Sequence, residues 1–344
     1  MEISFIDKLG LTNSEYMIFI ENKSKEVIEY SEFDDLPQFY NKISILLIDE
    51  ETPHHEVIEI WGKAVNLSLN PNTRSKRKAS SISNNKKGSI YISTPFIQRE
   101  VPPDTEIKEY LEFILYHELC HLKLHQGKII TCSKSLMSLL ELYEKIPQRK
   151  DFGKNIVNNL RQNNEHYFVN QFVVNRYPEL FLKQRIAERD RMDWKMDNYP
   201  RMTHREGLDV TISEALNETI SLTRKKIELN TIDKKISQKF NTAIDDLMRS
   251  YNELYDMFTA LISKSVSPPN IAKIFSRDVF SDREIFGKNI SDIWVSLRLI
   301  DPINVPIRVS LSNCGICRKP TKSHILDYGG YVCHSCWTSF FNRK

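Results

Sequence analysis

No apolar run in the chain approaches 18 residues without charge, which excludes the sequence pattern of a membrane-spanning helix. The first residues, MEISFIDKLG, are acidic early and lack a basic segment leading to a small-residue cleavage site, so no signal peptide is expected. A surplus of one charge sign is also missing. With 48 Lys and Arg against 45 Asp and Glu the formal net charge is +3, and the total makes no case for nucleic acid. Cysteine is scarce, six in 344 residues, and four of the six fall in two CxxC pairs. Without export signals that usage reads as metal binding in a reducing compartment and not as disulfides, so a cytoplasmic location is expected. No repeat of fixed period is evident. What is present, 40% hydrophobic and 27% charged residues, describes a soluble globular protein long enough for a real core and one to three domains.

The most informative stretch is LEFILYHELCHLKLH, residues 111–125. It has no Pro or Gly, and Leu111, Ile114, Leu115, Leu119 and Leu122 recur at three- and four-residue steps, so a buried helix is predicted over 108–124. His117 and His121 then lie one turn apart on one face, and both imidazoles can reach a single metal ion. Glu118 is offset by one residue, placed to take a proton from a water at the metal without ligating it. The bland reading is an ordinary helix, but two His and a Glu are poor choices for an apolar one unless something compensates their burial. A catalytic ion needs a third protein ligand. His125 is two turns beyond His117, too far along the axis to share an ion with both other histidines, and reads as a helix-end residue. The extended pattern HExxHxxGxxH fails, because Leu124 and Gly127 stand where Gly and His are required.

Around this helix the chain reads as follows. Residues 1–43 form an irregular or helical lead-in. Ser44 to Ile48 is a buried strand, and Val57 to Leu69 alternates well enough for a second strand. Residues 71–88, rich in Ser, Asn and Lys/Arg, are expected to be a loop, either a solvated hairpin loop or a contact for phosphate or an acidic partner. Gly88 to Ser93 is a third strand, and Pro102-Pro103-Asp104 introduces the helix of the His-Glu-x-x-His set. The order suggests a small sheet packed on that helix, offering an edge strand to an extended peptide. Residues 128–180 are helical in pattern, and 180–210 are highly charged and suited to connecting two halves. Phe240, Ile244, Leu247, Tyr251, Leu254, Phe258 and Leu261 step 4,3,4,3,4,3, an a/d seam that packs against another helix, either in a partner or, the favoured reading, in this chain with 211–230 as the candidate. Ser265 to Pro269 breaks that helix, and Ile307 to Leu311 is strand-like.

Near the C-terminus, Cys314 and Cys317 are separated by fifteen residues from Cys333 and Cys336. Two such knuckles can close a tetrahedral shell of four thiolates around one structural zinc ion, with Asp327-Tyr-Gly-Gly330 as the turn of a short hairpin between them. His324 and His334 are alternative nitrogen ligands. Arg318, Lys319, Lys322, Arg343 and Lys344 make this ribbon basic, and Trp337, Phe340 and Phe341 make it aromatic. DNA and a protein are the two partners that combination suits, beside aromatics that dock on the chain itself.

GSIYIS at 88–93 followed by HELCHLKLH at 117–125 resembles the ImmA/IrrE family of intracellular metallopeptidases, as does Val169-Asn170-Gln171-Phe172-Val173 ending at Pro178. The resemblance covers roughly residues 44–178. It implies a gluzincin-like zinc peptidase in which an acidic third ligand comes from the downstream helix. That register falls here on His166, with Glu165 adjacent, and either side chain can bind zinc. The helix and C-terminal ribbon together also resemble SprT-like proteases, although their downstream His in an HxxxF context is not apparent after 125. Glu214 in SEALNE looks a little like the third-ligand helix of thermolysin-type enzymes; its bland alternative is an amphipathic helix start capped by Thr211.

The expectation is an α+β protein: a zincin-like metallopeptidase domain over 1–180, a mainly helical domain over 181–310 with a heptad-like helix 236–262, and a four-cysteine zinc ribbon over 311–344. One catalytic zinc is held by His117, His121 and either Glu165 or His166, and one structural zinc by the four cysteines. Glu118 is the base, and a specific protein, such as a repressor or DNA-associated protein, is the substrate. The rival is a non-catalytic regulator that binds DNA or protein through the ribbon, with the helix site purely structural.

Overall fold

The structure is a computed structural model that describes residues 1–7, 14–48, 53–69, 79–125, 150–189, 208–262, 284–289, 324–325 and 331–332. The fold is α+β and mostly helical, with a small four-stranded mixed sheet. Its elements are β1 (Glu2–Asp7), α1 (Ser14–Ile28), a 3₁₀ turn (Ser31–Phe33), α2 (Leu36–Phe39), β2 (Lys42–Ile48), α3 (His54–Ala64), β3 (Ala79–Asn84), β4 (Lys87–Ser93), α4 (Thr94–Glu100), α5 (Ile107–His125), α6 (Lys150–Arg176), α7 (178–189), α8 (Leu208–Ile262), α9 (284–289), β5 (His324–Ile325) and β6 (Tyr331–Val332). Two compact units arise: Met1–Thr131 with Phe168–Ala187, and Cys132–Tyr167 with Glu188–Lys344.

In the first unit the sheet order is β1-β2-β4-β3. β1, β2 and β4 run parallel, and β3 returns antiparallel to β4. β2 is buried along nearly its whole length because both faces are covered, which is why its sequence, KISILLI, is a continuous apolar run and not an alternation. On one face Leu46, Ile48 and Tyr91 pack with Val57, Ile58 and Trp61 of α3 and with Val65 just past its end. On the other, α5 lies against β3 and β4. The approach is close at Gly88, where a Cβ would come within 2.9 Å of Leu122 Cδ1.

Three local expectations are corrected here. Residues 57–64 belong to helix α3 and not to a strand. VIEIW fits either period over so short a run, but Val57, Ile58, Trp61 and Val65 are buried at helical spacing while Glu59 is exposed. The lead-in 1–43 contributes strand β1, whose register is set by parallel pairing of Glu2 to Asp7 with Lys42 to Leu47. The Ser-rich stretch expected as loop forms strand β3 over its second half, with 70–78 outside the described residues. Its low strand propensity is overridden by pairing with β4 and cover from α5. Asn85 and Lys86, at φ 44° and 62°, make the tight two-residue turn joining them. As a result β4 is an inner strand and β3 is the sheet edge beside α5.

In the second unit α8 is two helical arms merged across a break at Phe240 (φ −127°, ψ 20°). Lys225 Nζ lies 6.0 Å from the ring centre of Tyr251, and Lys226 Nζ 4.6 Å from that of Tyr255. Residues 26 and 29 positions apart meet this closely only if the arms fold back on each other, since a straight helix would separate them by about 39 and 44 Å. The seam residues Ile244, Leu247, Tyr251, Leu254 and Phe258 are buried, as an intramolecular pairing requires. Phe240 is the bend and not the first seam position. Thr211 lies inside α8, three residues past its start, and is not its cap. β5 and β6 pair antiparallel across the expected ribbon hairpin. Of the stretch 180–210 expected to connect two halves, 180–189 belong to helix α7 and 208–210 to the start of α8, while residues 190–207, the four cysteines and Ile307 to Leu311 lie outside the described residues.

Candidate metal centre

Helix α5 spans Ile107–His125, and its burial follows the sequence: eleven of its residues are buried, among them Glu118 and His121. Helical geometry places His117 and His121 one turn apart, and the structure sets their Nε2 atoms 3.1 Å from each other. α6 lies alongside. Lys123 Nζ of α5 sits 5.8 Å from the ring centre of Phe172, and the rings of Tyr116 and Tyr177 meet edge to face at 5.2 Å. Because α6 is one continuous helix, Glu165 and His166 are carried by the same rod as these contacts.

Ligand atoms of His117, His121 and His166 lie within 4.8 Å of one another, a group that could hold a metal ion. A second such group consists of His121, His125 and Glu165. The two expected alternatives for the third ligand are therefore separated by the structure: His166 meets the His117–His121 pair, whereas Glu165 falls with His121 and His125. His125 is the last described residue of α5, and among the described residues it joins no group containing His117. Its place beside Glu165 was the feature that sequence reasoning missed. The signal was present in the i, i+4, i+8 spacing of His117, His121 and His125, but it carries meaning only once a carboxylate arrives opposite. Glu118, 7% exposed, belongs to neither group and is adjacent to both His117 and the buried face of α5.

The protonation chemistry of His166 follows from one bond. Its Nδ1 is 2.8 Å from the carbonyl oxygen of Gln162, which can only accept, so Nδ1 carries the hydrogen and Nε2 carries the lone pair. That arrangement is the usual support for a metal-ligating imidazole. Cys120 lies between the two histidines in sequence but is fully buried, and burial pushes its thiol up, away from the thiolate that ligation requires.

A polar network fixes the end of α6 against α5. Arg176 stacks its guanidinium 3.3 Å from the ring centre of Tyr30 and reaches Glu32 at 3.4 Å. Tyr116, next to His117, donates to Glu32 at 3.3 Å, and Tyr177 donates to Glu112 at 2.8 Å. Lys123 bonds both the Glu32 carbonyl and Asp35. Burial raises the Glu32 carboxyl, but backbone hydrogen bonding, Arg176 and Tyr116 outweigh it and leave the group below its ordinary value. Burial also holds both Tyr116 and Tyr177 well above the usual phenol range, so both remain donors.

Compared with protein-family models, with curated proteins and with solved structures, the chain matches none. Among the described residues no helix is long and apolar enough to cross a membrane.

Proposed function

We propose that this protein is a zinc-dependent endopeptidase of gluzincin-like type, as its resemblance to the ImmA/IrrE family implies, acting on a specific protein in the cytoplasm. The observation that carries the reading is the convergence of His117, His121 and His166 within 4.8 Å, with Glu118 buried beside them. The donor set fits the ion. Zinc takes imidazole nitrogens at roughly 2.0–2.1 Å, which in a tetrahedral shell puts two nitrogens about 3.4 Å apart. His117 and His121 stand at 3.1 Å, within a few tenths of an ångström of that spacing. His166 would complete the set, in the place where the resembling family uses an acid.

Bound zinc supplies a Lewis acid that polarises the scissile carbonyl and makes water a better nucleophile. The chain's own contribution is proton handling and positioning. Glu118 accepts the proton of the attacking water and returns it to the leaving amine. His166, held by the Gln162 carbonyl, presents one defined nitrogen. β3, the sheet edge beside α5, is the strand along which an extended substrate pairs. A second, structural zinc held by Cys314, Cys317, Cys333 and Cys336 belongs to the same proposal, with DNA or a protein as the ribbon's partner.

The test is Glu118→Gln, assayed on a peptide library read by mass spectrometry together with metal analysis. Retention of zinc with loss of cleavage is expected. Undiminished cleavage by this variant sinks the mechanism.

A further inference from the structure

We propose that α5 and α6 carry a second, alternative seat for a divalent cation, formed by His121, His125 and Glu165, which is filled only in place of the first because both use His121. The inference rests on the first seat only in sharing that residue. Ligand atoms of the three side chains lie within 4.8 Å of one another. His121 and His125 repeat the i, i+4 relation of His117 and His121, so the second seat lies one turn, about 6 Å, further along α5. Glu165 and His166 are consecutive on α6, and each faces one of the two histidine pairs. Glu165 and His121 are both buried, so the donor atoms converge in a site largely shielded from solvent, where a carboxylate and two imidazoles suit a divalent cation.

The two seats differ in chemistry. The first offers three nitrogens; the second offers two nitrogens and an oxygen, which suits zinc, cobalt or manganese and leans toward harder ions than the first. They also differ in relation to the base. His125 is seven residues beyond Glu118, about 10 Å along the helix axis. An ion in the second seat is retained by the protein but drawn away from Glu118, so this seat stores metal without supporting hydrolysis.

The experiment is Co²⁺ titration of the full chain by absorption spectroscopy, which separates nitrogen and oxygen coordination from the thiolate coordination of the ribbon. Unaltered protein is expected to take up one Co²⁺ with nitrogen–oxygen character, and His121→Ala to lose it. His117→Ala and, independently, His166→Ala are expected to retain one such ion through the second seat. Adding His125→Ala to the former, or Glu165→Gln to the latter, is expected to abolish it. Should His117→Ala and His166→Ala bind no more than His121→Ala, or should the double variants keep the ion, the second seat is wrong while the first stands. Absence of nitrogen–oxygen coordination in the unaltered chain overturns both.

Discussion

His166 donates its Nδ1 hydrogen to the carbonyl oxygen of Gln162, 2.8 Å away and one turn earlier on α6. The acceptor belongs to the backbone, so the tautomer of a proposed ligand is set by helix geometry and not by a neighbouring side chain. Nitrogen NMR of the metal-free protein should report the Nδ1–H tautomer at His166, and Gln162→Ala should leave it unchanged. Observation of the Nε2–H form would remove this nitrogen from the proposed ligand set.

Gly62 offers a stability test with an inverted sign. Gly to Ala inside a helix ordinarily stabilises by about 1 kcal/mol. Here a Cβ would lie 2.5 Å from the backbone oxygen of Leu67, in a turn where Gly62 O accepts from Val65 and Leu67. Gly62→Ala should therefore cost about 1–3 kcal/mol, the range for overpacking. Denaturant unfolding showing equal or greater stability would mean that this turn is looser than described.

The depressed Glu32 carboxyl makes the α5–α6 clamp sensitive to acid. A carboxylate whose folded value lies below its ordinary 4.5 contributes stability above that pH and loses it as the pH falls through the folded value. Acidification below about 4.5 should weaken the Arg176 and Tyr116 contacts. Glu32→Gln should lower the melting temperature near neutrality and flatten its fall in acid; parallel curves for the two proteins would contradict the linkage.

The fold-back of α8 predicts unequal costs along one apparent heptad seam. Leu247 is fully buried between the arms, and Leu247→Ala should cost about 2–5 kcal/mol. Phe240, partly exposed at the bend, should cost distinctly less on truncation to Ala. Equal losses by thermal unfolding would argue for a straight helix through 240.

What was legible in the residues is what depends on local geometry. The 3.6-residue turn alone puts His117 and His121 on one face of a helix, and a run of apolar residues such as Ile45 to Ile48 alone marks a buried strand. The antiparallel pairing of His324–Ile325 with Tyr331–Val332, on either side of the turn expected at Asp327 to Gly330, belongs to the same kind. Other features are decided by partners distant in sequence. β1 pairs with residues 40 positions away, β3 is a strand because β4 and α5 accept Ser-rich sequence at the edge, and Val57 to Ala64 coils because its stripe finds β2 and β4. The centre itself divides the same way. The His-Glu-x-x-His spacing determined the pair and its adjacent base, but only the packing of α6 along α5 decided that His166 meets that pair while Glu165 meets His121 and His125. Consecutive residues on a helix point about 100° apart, and no pattern within either helix says which of them will face the other.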